Sequence, residues 1–183
     1  MYMSMRTLVE QHPFWHVCGI GLFIALAAIQ RRAKSSGILV MALWNLTGVV
    51  LHECAHLLAG LLFRARPSGF SLFPRREGRY WRLGSVSFSR ITAVNAVPVA
   101  LAPLGLAGLA YWVARNWSTW CKPSLPSTLA LYATVYFLLY NSLPSRQDLR
   151  VACSWRSLLL YSLVAAAIGF LSWPALRNGL LPH

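Results

Sequence analysis

Five long apolar segments dominate this chain of 183 residues and constrain its fold more than any other feature. They cover about residues 14–30, 37–63, 91–114, 125–143 and 157–173. A helix needs roughly 17 to 25 predominantly apolar residues to cross the hydrocarbon core of a bilayer, and the segments have about that length. We therefore expect an all-α polytopic membrane protein with about five transmembrane helices.

The composition supports a membrane protein. Hydrophobic residues make up 57% of the chain and charged residues 11%, whereas a soluble domain carries about 25% charged residues. The formal charge of +13 would indicate nucleic-acid binding in a soluble protein. Here the basic residues lie between the apolar segments, so we expect them to flank membrane spans, with no nucleic-acid partner. The four Cys lie far apart and form no CxxC motif. Their spacing predicts neither a disulfide framework nor a thiolate metal site.

The distribution of Lys and Arg predicts the orientation. Seven Arg lie between residues 64 and 90, and the segment that follows the fourth span is also basic. Cytoplasmic loops carry an excess of basic residues, which favours a cytoplasmic N-terminus, although RRAK after the first span argues against it. The first apolar segment is preceded by one Arg and followed by RRAK, so we expect a retained span rather than a cleaved signal peptide. The expected location is the plasma membrane of a bacterium.

The stretch between the second and third spans is the longest polar part of the chain. GFSLF and RLGSVSF alternate between apolar and polar residues on either side of PRREGR, whose Gly and charges suit a turn. This pattern predicts a small membrane-associated β-hairpin between the second and third spans. The alternative is a simple basic cytoplasmic loop.

The sequence VVLHECAHLLAG, residues 49–60, places three ionisable side chains inside the second apolar segment. His52 and His56 are four residues apart, so on a helix they share one face and can bind one metal ion. Neutral imidazoles are good zinc ligands, and Glu53 beside them can take a proton from a zinc-bound water. An ionised group at the bilayer centre costs at least about 2.5 kcal/mol, which disfavours the alternative that these groups merely form hydrogen bonds with other helices.

Zinc catalysis needs a third protein ligand and leaves the fourth position for water. Asp148 is the strongest candidate, because Pro144 ends the fourth helix and lets the chain turn back toward the protein interior. The alternative for Asp148 is a surface ion pair with Arg146 or Arg150.

Four other residues are possible ligands by residue type. His12 and His16 also have a spacing of four, but they lie at a membrane boundary, where packing in the interface explains them better. Glu10 shares their neighbourhood. Glu77 lies 21 residues beyond His56, a spacing that soluble gluzincin-type proteases use, but its place in the predicted turn favours pairing with nearby Arg residues.

HECAH inside a span, a β-loop after it and the later segment NSLPSRQD together resemble the site-2 protease family of intramembrane zinc metalloproteases. The resemblance covers about residues 37–150. It implies that His52 and His56 are zinc ligands and that Glu53 is the catalytic base. It also implies that Asp148 is the third ligand and that the amide of Asn141 stabilises the oxyanion that develops during hydrolysis.

This resemblance implies an intramembrane zinc metalloendopeptidase that carries out regulated intramembrane proteolysis, with one Zn²⁺ as cofactor and membrane-spanning proteins as substrates. It implies a single transmembrane domain over residues 1–183, in a compact form without a PDZ or CBS domain. The core would cover about residues 37–150, with peripheral spans at 14–30 and 157–173. The family also suggests that an edge strand over Leu83–Phe88 holds an unwound substrate segment.

Two alternatives remain open. A membrane metallopeptidase of another clan would use Glu77 as its third ligand. A catalytically inactive relative would act as a membrane binding module and would need no intact base. A multi-His diiron oxygenase is disfavoured, because the chain has only five His.

Overall fold

The computed structural model describes residues 12–179, apart from residues 34, 36, 78 and 79. The chain is mostly helical. Its helices are α1 (Pro13–Ala33), α2 (Ile38–Leu62), α3 (Ala93–Ala100), α4 (Gly105–Trp120), α5 (Leu125–Asn141), α6 (Arg146–Ala152) and α7 (Trp155–Gly179), and a 3-10 turn (Ala102–Leu104) joins α3 to α4. The strands are β1 (Pro67–Ser71), β2 (Arg75–Glu77), β3 (Tyr80–Arg82) and β4 (Ser85–Phe88).

Four helical stretches are long and apolar enough to cross a membrane: Pro13–Ala33, Leu39–Leu62, Ala93–Trp120 and Trp155–Trp173. They coincide with four of the five apolar segments, and the prediction of a helical membrane protein is confirmed to that extent. The remaining segment forms α5, which has 17 residues and is shorter than these four. Many Leu, Ile, Val and Phe side chains on α1 and α7 are exposed, which suits helices whose surface faces lipid.

Two small antiparallel pairs of strands lie between α2 and α3. Strand β1 pairs with β4 so that Phe70 lies opposite Val86, and β2 pairs with β3. The segment PRREGR was predicted as a turn, but its residues 75–77 belong to strand β2. Arg75 and Arg76 are exposed, so this strand does not need the apolar alternation by which a strand is recognised in a sequence.

Helix α2 is the element to which the other parts of the site attach. It contacts α3, α5 and strand β4. The ring of Phe88 on β4 packs directly over Gly60 of α2, where a β-carbon would overlap the ring. Leu51 of α2 packs against a buried cluster of Leu106 and Leu138 from α4 and α5. These contacts hold strand β4 and helix α5 against α2.

Candidate metal centre

Three side chains from two helices converge on one point. His52 and His56 lie one turn apart on α2, and Asp148 comes from the short helix α6. Their ligand atoms all lie within 4.8 Å of one another, and among the residues that the structure describes this is the one such group of His, Cys, Asp or Glu. The two Nε2 atoms are 3.2 Å apart, and the Asp148 carboxylate oxygens lie 3.5 Å from His52 Nε2 and 3.3 Å from His56 Nε2.

These separations fit the donor set of a zinc ion. Two ligands of a tetrahedral zinc ion, each about 2.0–2.1 Å from the metal, lie about 3.3–3.4 Å apart. The separations between these side chains are close to this value: 3.2 Å between the two Nε2 atoms, 3.5 Å from His52 Nε2 to Asp148 Oδ2 and 3.3 Å from His56 Nε2 to Asp148 Oδ1. Two imidazole nitrogens and one carboxylate oxygen are also a common catalytic set for zinc, since they leave the fourth position open. The group can therefore hold a metal ion.

Both imidazole rings are oriented by backbone carbonyl groups. His52 Nδ1 lies 2.9 Å from the carbonyl oxygen of Asn141, and His56 Nδ1 lies 2.8 Å from that of Val99. A carbonyl oxygen only accepts, so each Nδ1 donates its hydrogen, and the neutral ring then has its lone pair on Nε2. Two lone pairs and a carboxylate thus face a common point, an arrangement that a cation stabilises.

Asp148 reaches the two His because of how α5 ends and α6 begins. Helix α5 ends at Asn141, and Ser145 caps α6 by accepting a hydrogen bond from the Asp148 backbone. The Asp148 carboxylate in turn accepts from the Ser145 backbone N–H at 2.7 Å. No ion pair of Asp148 with Arg146 or Arg150 is found among the described residues.

Glu53 lies beside the three candidate ligands and is buried. Glu53 is not part of the group of His52, His56 and Asp148 that could hold a metal ion. The segment before β4 packs against it: a β-carbon on Gly84 would lie 2.9 Å from Glu53 Cγ and 3.1 Å from Oε1. Gly84 is therefore a residue that brings the sheet into contact with the carboxyl group.

Asn141 contributes its backbone as well as its side chain. Its carbonyl orients His52, and its side-chain Nδ2 donates to the carbonyl of Phe137 at 2.7 Å, which leaves a second N–H of the amide. The amide packs over Gly48, where a β-carbon would lie 2.2–2.4 Å from its atoms. A Gly in the interior of a helix, four residues before His52, is a sequence signal for such a close approach.

A large open cavity joins these groups. It has a volume of about 1160 Å³ and is lined by α2, by the segment from Leu83 through β4, by α6 and by Asn141. His52, His56, Glu53 and Asp148 all line it. The site is therefore accessible from the cavity, and strand β4 forms part of the wall.

Comparison of the chain with protein-family models, with curated proteins and with solved structures found no match.

The other predicted candidates lie elsewhere. The ring of His12 stacks on Trp15 with centroids 3.8 Å apart, and His16 Nδ1 lies 3.2 Å from the hydroxyl of Tyr132. These His residues pack against aromatic rings. Glu77 lies in β2, opposite Tyr80, and only its backbone is among the parts that the structure describes. Glu10 lies outside the described residues.

Proposed function

We propose that the protein is an intramembrane zinc metalloendopeptidase of the site-2 protease type. The observation that carries this proposal is the convergence of His52, His56 and Asp148 at zinc-ligand spacing, with Glu53 beside them. The sequence resemblance implies the same three residues as ligands, and their geometry supports that assignment.

Each residue of the site has a separate task in this proposal. His52, His56 and Asp148 would hold the ion, which when bound supplies a Lewis acid for the peptide carbonyl and lowers the pKa of water. Glu53 accepts the proton of the attacking water and passes it to the leaving amine. The second N–H of the Asn141 amide donates to the developing oxyanion.

The membrane arrangement that we propose has five spans, with α5 as the fourth. The 17 residues of α5 are at the lower limit for crossing a bilayer. The N-terminus would lie in the cytoplasm, because the Arg-rich segment between α2 and α3 then lies inside. In the same proposal, α1 and α7 are peripheral to a core formed by residues 37–150.

The substrate class that we propose is a membrane-spanning protein whose helix unwinds locally before it is cut. Strand β4 supports this, because it lines the cavity that contains the three ligands and Glu53. The sheet of β1 and β4 has two strands, so pairing within the sheet leaves one edge of β4 for an added strand. Addition of a strand would present an extended backbone to the site.

Removal of the metal is the first test. A mixture of unstructured and transmembrane synthetic peptides in detergent micelles is incubated with the purified protein, and products are identified by mass spectrometry. We expect hydrolysis to stop when 1,10-phenanthroline removes the metal and to return when one equivalent of Zn²⁺ is added, because the apo-site has no Lewis acid. Hydrolysis that persists in metal-free protein would reject the proposal.

Gly48→Ala tests the role of the Asn141 side chain. The new methyl group should displace the amide from its bond with Phe137, while the Asn141 carbonyl still orients His52. Loss of one hydrogen bond, about 0.5–1.5 kcal/mol, is offset by the better helix propensity of Ala, about 0.8–1.0 kcal/mol. We therefore expect a folded, zinc-containing protein that hydrolyses peptides about a hundredfold more slowly, as on removal of an oxyanion donor.

The matched control for this variant is Gly108→Ala in α4, where a β-carbon meets nothing within 4 Å. Its rate should equal that of the wild type, and Asn141→Ala should reproduce the loss seen in Gly48→Ala. Equal rates for Gly48→Ala and Gly108→Ala would show that the amide has no part in hydrolysis.

A further inference from the structure

The carbonyl that orients His56 lies in the last turn of α3, which ends at Ala100. In an α-helix the carbonyl of residue i accepts from the N–H of residue i+4. For Val99 that residue is Pro103, which has no N–H. Backbone N–H groups at the end of α3 do donate to the carbonyls of Val97 and Val99. A carbonyl oxygen has two lone pairs, so the Val99 carbonyl keeps one for the Nδ1–H of His56.

Burial makes this arrangement specific. Val99 and Pro103 are among the most deeply buried residues of the described chain, and His56 is 6% exposed. An additional donor at position 103 would therefore compete directly with the imidazole for the Val99 carbonyl. If the ring of His56 lost this bond, its tautomer and its orientation would both become variable.

We propose that Pro103 is a positioning residue of the metal site: because it lacks an N–H, it reserves the Val99 carbonyl for His56 and so keeps Nε2 of that ring directed at His52 and Asp148. The proposal rests on the zinc site proposed above.

The chain contains the same arrangement a second time, away from the metal centre. Pro98 lies inside α3, and the carbonyl four residues before it, that of Val94, accepts a hydrogen bond from the hydroxyl of Tyr161 at 2.7 Å. Tyr161 belongs to α7, so this second carbonyl connects α3 to α7. Pro98 therefore provides a control with the same chemistry and a different partner.

The test compares two substitutions at position 103 that differ by one group. Pro103→Ala introduces an N–H, whereas the α-hydroxy analogue of alanine at the same position introduces an ester oxygen in its place. The readout is the dissociation constant of Zn²⁺ for the apo-protein in detergent. We expect Pro103→Ala to weaken zinc binding about 10- to 100-fold, the usual effect of losing a partner of a metal-bound His. The ester variant should bind zinc within about threefold of the wild type, as should Pro98→Ala.

The outcomes separate this proposal from the proposed function. Equal affinities in the two position-103 variants would overturn the role of the missing N–H, even if both bound zinc weakly. A wild type without a stoichiometric zinc site would remove the proposed function and this inference with it. If Pro103→Ala does not fold, the ester variant and ring-¹⁵N NMR of the apo wild type decide: the His56 Nδ1 must carry the hydrogen, and a hydrogen on Nε2 would overturn the proposal.

Discussion

Replacement of Glu53 by Gln is expected to lower the rate of peptide hydrolysis by about a hundredfold to ten-thousandfold, while the protein keeps its full zinc content. Gln has nearly the same shape as Glu, so its contact with Gly84 can remain. Its amide cannot accept the proton of the attacking water, and loss of a general base has effects of this size. The measurement is the rate of product formation from the peptide mixture, together with zinc content by atomic emission.

The hydrolysis rate and the zinc content of Glu53→Gln, taken together, distinguish an enzyme from a binding module. A variant that keeps zinc and fold but loses hydrolysis places Glu53 in the reaction and not among the ligands. Hydrolysis at the wild-type rate in Glu53→Gln would show that another group is the base. A zinc content that fell together with the rate would instead make Glu53 a ligand, contrary to its position outside the group of ligand atoms.

Asp148→Ala is expected to lose zinc. The substitution removes the only negative ligand of the proposed site, and we expect the dissociation constant of Zn²⁺ to rise by more than about a hundredfold, beyond the usual effect of losing an outer partner. It also removes the carboxylate that accepts from the Ser145 N–H, so the N-terminus of α6 will loosen. Isothermal titration of the apo-protein with Zn²⁺ measures the first effect separately from the second.

Glu77→Ala is the matched control, since it removes the acid that another clan of metallopeptidases would use. It should bind zinc as the wild type does. The reverse pattern, with zinc lost in Glu77→Ala and kept in Asp148→Ala, would contradict the assignment of the third ligand.

Much of the site could be predicted from the sequence because its signals are local. Two His at a spacing of four lie on one helical face wherever the helix packs, and the position of Pro144 indicated that the chain turns before Asp148. The apolar segments fixed the approximate bounds of the long helices in the same way. These features depend on a few neighbouring residues and need no knowledge of the tertiary contacts.

The remaining parts of the site depend on contacts between distant segments. Val99 lies 43 positions from His56 and Asn141 lies 89 positions from His52, and no pattern in the sequence shows that their carbonyls accept from these rings. The same holds for Gly84, whose missing side chain matters only because Glu53 lies against it. The sequence shows that Pro103 lacks an N–H, but it does not show that the Nδ1–H of His56 lies near the Val99 carbonyl.

The most direct test of the zinc site is X-ray absorption at the zinc edge of the purified wild type. We predict one zinc ion per chain, with a first shell of nitrogen and oxygen at about 2.0–2.2 Å and the outer-shell scattering of two imidazole rings. His56→Ala should remove the zinc. A shell of sulfur at about 2.3 Å, or protein that is fully active without zinc, would contradict the site formed by His52, His56 and Asp148.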